Sequence, residues 1–141
     1  MEKITTHQMI IVIGLPGSGK TRFCNEILSF THIIFDDFIK NFFNGELLKA
    51  ISSGKKICIN DPRMCLFPIF EKYMRIFEKY IAKNDIFICL FTNDPQKCLI
   101  NIEKNKNSSK KNIAKTVMNY SQHYIHENYV NWNYCILEIK T

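Results

Sequence analysis

The stretch Gly14-Leu15-Pro16-Gly17-Ser18-Gly19-Lys20-Thr21 constrains this chain more than any other. It fits the pattern G-x-x-x-x-G-K-[ST]. It follows directly on Met9 to Ile13, a short continuous apolar run rich in β-branched residues. Such a run reads as a strand buried on both faces, as in a parallel sheet. Lys20 to Phe30 reads as a helix, with Phe23, Ile27 and Phe30 on one side. Strand, glycine-rich turn and helix in that order are what a phosphate-binding loop needs. Glycines let the backbone curl with its N–H groups pointing inward. The helix that follows offers unpaired N–H groups and a positive dipole end to the same anion. Gly14, Gly17, Ser18, Gly19, Lys20 and Thr21 are therefore the expected nucleotide-binding residues. Lys20 is expected to reach the β and γ phosphates of a nucleoside triphosphate, and the Thr21 hydroxyl to coordinate Mg²⁺.

The rest of the chain alternates in the same way. Strands are expected at His32–Phe35, Lys56–Asn60, Ile86–Phe91 and Tyr134–Ile139. Helical patterns cover Asp37–Ile51, Arg63–Ala82, Pro95–Asn105 and Ile113–Tyr129, with Gly45 weakening the first of them. Strands alternating with helices predict βαβ units, a mainly parallel sheet and a three-layer α/β/α domain. The 141 residues suit one compact domain with no internal repeat and no linker. No apolar run approaches the roughly 18 residues that cross a membrane. The polar start Met1 to Gln8 lacks the pattern of a secretory signal. A cytoplasmic or nuclear protein is expected. The six cysteines form no C-x-x-C pair and no zinc-type spacing with histidine, so they read as buried thiols rather than disulfides. The net charge of +6 favours polyanionic partners, nucleotides and nucleic acid among them.

In open α/β sheets ligands sit outside the carboxyl ends of the strands. Three acids fall at such ends. Asp36 and Asp37 follow the second strand, and Asp61 follows the third in Ile57-Cys58-Ile59-Asn60-Asp61. An apolar strand ending in Asp has the form of a metal-holding Walker B element, so Asp61 is expected to hold Mg²⁺ directly or through water. It also suits a helix N-cap, since Pro62 would then occupy the first helical position. Asp36 is placed to orient a hydroxyl and take its proton. Asp37 suits the cap of the next helix. Lys104 to Lys111 carries four lysines in eight residues, a basic lid at about 104–112 that can close over developing negative charge. Most charge runs are merely solvated turns, which is the alternative here.

The order of these features resembles the small P-loop kinases of the P-loop NTPase superfamily. It is most similar to the polynucleotide 5′-hydroxyl kinase domain. The features are the P-loop, Asp36-Asp37, Asn60-Asp61, then Asp94-Pro95 and the basic lid. The resemblance implies a five-stranded sheet in order 2-3-1-4-5 and transfer of the γ-phosphate of ATP to a hydroxyl, with Mg²⁺. It implies that Lys20 and Thr21 hold phosphates and metal, that Asp36 is the general base, that Asp61 is the second metal-associated acid, and that Lys106 acts from the lid. The favoured acceptor is the 5′-hydroxyl of a polynucleotide. A nucleoside, nucleotide or small-metabolite kinase is the alternative, and a nucleotide-binding regulatory module without transfer is the third. The sequence departs from the family in two places. Phe38, Ile39 and Lys40 stand where the family carries an arginine for a substrate phosphate, and the lid has Ile102, Lys104 and Lys106 in place of arginines. Lys lacks the fork of Arg. Arg63, just past the third strand, is the available substitute. A GTPase is disfavoured: Asn105-Lys106-Asn107-Ser108 lacks the final Asp of N-K-x-D, and Asp61-Pro62-Arg63-Met64 lacks the glycine of D-x-x-G.

Overall fold

The computed structural model describes residues 2–105 and 110–141. Five parallel strands, β1 (Met9–Ile13), β2 (Ile33–Asp36), β3 (Ile57–Asn60), β4 (Ile86–Phe91) and β5 (Asn133–Leu137), are hydrogen-bonded in the order β2-β3-β1-β4-β5. The expected sheet order is thus present. The helices are α1 (Glu2–Thr5), α2 (Lys20–Glu26), α3 (Glu46–Ser52), α4 (Phe67–Phe77), α5 (Pro95–Lys104) and α6 (Lys110–Ser121). From β1 the chain moves one way to β2, and every later crossover moves the other way. Right-handed connections therefore put α2 on the face opposite α3 and α4. Covered on both faces, β1 has no exposed residue, which is why its sequence is apolar without alternation.

Four helical expectations run too long: α2 ends at Glu26 with Leu28–Phe30 a separate 3₁₀ turn, and the other three are cut for a local reason. The stretch 37–51 is split into a 3₁₀ turn, Phe38–Asn44, and α3 by Gly45, whose φ of 84° lies in the left-handed region. Arg63–Ala82 is split at Leu66. A proline inside a helix clashes with the carbonyl four residues back, so the helix restarts with Pro68 in its first turn. Residues 62–65 form a separate 3₁₀ turn. The helix expected over 113–129 stops at Ser121, where the Asn93 amide donates to the carbonyls of Ser121 (2.8 Å) and Tyr124 (3.0 Å). These bonds satisfy carbonyls that the helix end leaves open.

Phe38 and Phe42 pack edge-on against Tyr73 of α4 at centroid distances of 5.1 Å, while Phe43 stays exposed. All six cysteines are free, and five are buried. Among the described residues no helix is long and apolar enough to cross a membrane.

At the opposite end of the sheet from the phosphate loop, buried His32 ties two segments together. Its Nε2–H donates to the His7 carbonyl at 2.8 Å, leaving Nδ1 to accept from the Thr31 hydroxyl at 2.7 Å. Burial first, with Lys56 and His7 adding to it, pulls the imidazole below its ordinary 6.5, while the bond to His7 pulls the other way. The unfolded chain therefore binds the proton more readily than the folded one. The stabilising preference for neutral His32 is complete above the unfolded value and is lost as the pH falls from about 6.5 toward the lower folded value. Urea midpoints should drop over this window in the parent protein and drop less steeply in His32→Gln. Equal slopes in the two proteins would dismiss His32 as the source.

Candidate functional site: a phosphate loop with three strand-end acids

The loop between β1 and α2 has the geometry its glycines allow. Gly17 (φ 84°) and Gly19 (φ 103°) lie in the left-handed region that favours glycine. A Cβ on Gly14 would come within 2.4 Å of Ser18 Oγ, and one on Gly17 within 2.6 Å of the Cys98 carbonyl. The Ser18 N–H closes the loop onto the Leu15 carbonyl at 3.1 Å. Asn101 of α5 braces it from outside, its amide donating to the carbonyls of Gly17 and Lys140, both at 2.9 Å. Sequence reasoning missed Asn101, and nothing near it in the chain marks it. Its partner Gly17 is 84 residues away.

Lys20 is folded into the loop. Its side chain is almost buried, and Nζ donates to the Leu15 carbonyl at 3.0 Å. Burial pulls its pKa down, while the carboxylates of Asp37 and Asp36 pull the other way. The Cys65 and Cys98 thiols remain neutral, since burial pushes Cys65 up to about 12 and Cys98 up to about 11. Ser18 Oγ is buried with no hydrogen-bond partner among the described residues. A buried hydroxyl left unpaired is costly and marks a place where a polar ligand would complete the set. The cradle of glycines, the orphan hydroxyl and the open N–H groups at the start of α2 fit a polyphosphate.

The acids gather beside this loop. The Thr21 hydroxyl donates to Asp36 Oδ1 across 3.4 Å, a long contact, and both residues are exposed. Asp36 is in register with Asn60 of β3, so Asp61 lies one residue beyond that pair. Asp37 has a positive φ of 47°, the single such non-glycine among the described residues. Partial burial raises its carboxyl pKa, with the charges of Asp36 and Asp61 adding to the effect. Asp61 is 1% exposed, and both of its oxygens are engaged. Oδ1 accepts from Arg63 N and Nε, each at 3.0 Å, and Oδ2 from Arg63 Nη2 at 2.8 Å and Ile39 N at 3.2 Å. The cap of the 62–65 turn expected from Pro62 is present. Among the described residues no group of three or more His, Cys, Asp or Glu side chains is placed to hold a metal ion by itself. The donors near the loop are hydroxyl and carboxylate oxygens, the hard ligands that suit Mg²⁺. Lys106 and Asn107 to Ser109 lie outside the described residues. A cleft of about 210 Å³ opens at Asp36, between β2 and the 38–47 segment, with Phe38, Asn41, Asn44 and Glu46 among its walls.

A parallel sheet ordered 2-3-1-4-5, with a glycine loop carrying β1 into α2, defines a P-loop kinase α/β fold. The fold is shared with shikimate kinase from Bacteroides thetaiotaomicron, with a TM-score of 0.53 and 13% identity over 93% of this chain and 85% of that one. The chain belongs to the same family as uncharacterized protein R277 of Acanthamoeba polyphaga mimivirus, to which it is 44% identical over 136 residues, 95% of this chain and 96% of that protein. No described family's sequence profile matches it.

Proposed function

We propose that this protein is an ATP-dependent kinase that transfers the γ-phosphate to a hydroxyl acceptor. The contact between Thr21 and Asp36 carries this reading. It sets a carboxylate able to orient an acceptor directly against the loop built for a polyphosphate. In this reading the glycines, the Ser18 hydroxyl and the N–H groups of α2 cradle the triphosphate. Lys20 leaves the Leu15 carbonyl and turns its ammonium to the transferred group. Thr21 holds Mg²⁺, which when bound neutralises charge on the phosphate oxygens. Asp36 accepts the proton of the attacking hydroxyl, and Lys106 supplies positive charge from the lid.

The acceptor favoured by the sequence resemblance and the net charge of +6 is the 5′-hydroxyl of a polynucleotide. The fold likeness to a shikimate kinase supports the second reading, a small hydroxylated metabolite. The deciding measurement is transfer from γ-labelled ATP with Mg²⁺ to 5′-hydroxyl DNA and RNA, nucleosides, nucleoside monophosphates and hydroxy acids. Label is expected on at least one hydroxyl. ATP binding without transfer to any of them would replace the kinase with a nucleotide-binding regulatory module.

A further inference from the structure

We infer that Asn101 of α5 is a positioning residue of the nucleotide site: its amide fixes Gly17, so that the phosphate loop meets a polyphosphate already in its binding shape. This rests on the nucleotide-binding part of the kinase reading above and holds whichever hydroxyl is the acceptor.

Leu15-Pro16-Gly17-Ser18 has the form of a type II turn. Pro16 fills its second place and Gly17 its third, with φ 84°, and the Ser18 N–H closes it on the Leu15 carbonyl at 3.1 Å. The same bond also closes a type I turn, in which the third residue has negative φ, so the bond does not decide between the two. The proline ring fixes only its own φ. Glycine takes positive and negative φ about equally readily. Nothing within the turn therefore holds Gly17 where it is. A change there would re-aim the N–H groups that follow, at Gly19 and at Lys20 and Thr21, the first residues of α2. These are the groups that an anion at the loop would meet.

The deciding contacts come from α5. Cys98, Asn101 and Ile102 are spaced i, i+3 and i+4, so they share one face of that helix. That face lies against Gly17. A Cβ on Gly17 would come within 2.6 Å of the Cys98 carbonyl and 3.0 Å of Ile102 Cγ1. Between these two, Asn101 Nδ2 donates to the Gly17 carbonyl and to the Lys140 carbonyl, each at 2.9 Å. Both N–H groups of the amide are then in use. Turning the amide over would set Oδ1 against two carbonyl oxygens, so the network allows one orientation. Its second anchor, Lys140, belongs to the segment after β5 and not to the loop. The Gly17–Ser18 peptide is thereby held at both ends, its carbonyl by Asn101 and its N–H by Leu15. Ordering the loop costs entropy once, on folding, and a ligand that finds the donors already aimed does not lose that freedom again.

The chain supplies a matched control for the test. Gln8, directly before β1 and so at the far end of that strand from the loop, also bridges two carbonyls with its amide, those of Ile51 (3.1 Å) and Lys55 (3.3 Å). Asn101→Leu and Gln8→Leu each remove one such bridge, and urea midpoints should fall by similar amounts in both. Only Asn101→Leu should weaken Mg·ATP binding in titration calorimetry, by about three- to tenfold, the usual worth of one hydrogen bond. Asn101→Asp keeps the shape but offers no N–H to the two carbonyls, so it should weaken binding at least as much. Amide hydrogen exchange in the ligand-free proteins reads the loop directly. Exchange at Ser18 should quicken by about tenfold in both Asn101 variants and stay at the parent rate in Gln8→Leu. Parent affinity in Asn101→Leu and Asn101→Asp overturns the inference, even with faster exchange, since Asn101 would then be a structural tie alone. An equal loss of affinity in Gln8→Leu overturns it as general loosening. Weaker binding with Ser18 exchange unchanged overturns it too, because the effect would not pass through the loop. Asn101-dependent binding without transfer to any acceptor would count against the kinase reading and leave the role of Asn101 standing. If the parent protein binds no Mg·ATP, the nucleotide reading fails, and the Ser18 exchange rates alone decide whether Asn101 sets the loop.

Discussion

Lys20→Ala is expected to weaken Mg·ATP binding by about 10- to 100-fold and to abolish useful phosphate transfer while leaving the domain folded. The fold tolerates the change because of how Lys20 is placed. The residue is 7% exposed, and among the described residues its ammonium makes one hydrogen bond, to the Leu15 carbonyl. Losing that bond costs about 1 kcal/mol. Removing a buried charge that already pays in desolvation offsets part of it, the same burial that pulls its pKa down. The thermal midpoint should move by less than about 8 °C. Ligand binding has no such compensation. A triphosphate in the loop loses the ammonium at the first residue of α2, and hydrogen bonds between charged partners are worth about 1.5–3 kcal/mol. Affinity should fall by about 10- to 100-fold, and transfer by more, since charge grows on the transferred group. Titration calorimetry with Mg·ATP and a turnover assay measure both. Unchanged binding and turnover in a folded variant would remove Lys20 from the site.

Asp36→Asn should separate chemistry from binding. Among the described residues Asp36 has one hydrogen bond to the loop, the long 3.4 Å contact with Thr21, and it is exposed, so an amide can replace the carboxylate without disturbing β2. ATP affinity should stay near that of the parent protein. Transfer should fall by about 10²- to 10⁴-fold, the usual worth of a general base. Asp37 is the neighbour that would otherwise take the proton. Its backbone, with φ 47°, sends its side chain along a different path from that of Asp36, so it should not rescue the variant. If a verified acceptor is phosphorylated at the parent rate by Asp36→Asn, then Asp36 is a turn residue and Asp37 becomes the base to test.

Much of this protein was legible along the chain. The phosphate loop occupies eight contiguous residues, and each position has its own local requirement. Gly17 and Gly19 need positive φ, and Gly14 needs the space that Ser18 fills. β1 and β4 were readable to the residue because a strand buried on both faces must be apolar throughout. The sheet order followed from resemblance and is present. Helix ends were not legible in the same way. Apolar periodicity runs on through 63–82, while Pro68 forces a break that depends on a clash with the preceding turn. The burial of Lys20, the brace of Asn101 on Gly17 and the clamp of Asp61 on Arg63 and Ile39 were out of reach. A motif or a period is carried by neighbours in sequence, whereas the Asn101–Gly17 and Asp61–Ile39 bonds join groups that only the packed sheet brings within hydrogen-bond distance, and which way the nearby Lys20 and Arg63 side chains fold depends on what packs around them. Asp61 shows the limit most plainly. An acid at the end of an apolar strand reads as a metal ligand or a cap, and its burial against a guanidinium depends on where the chain turns next.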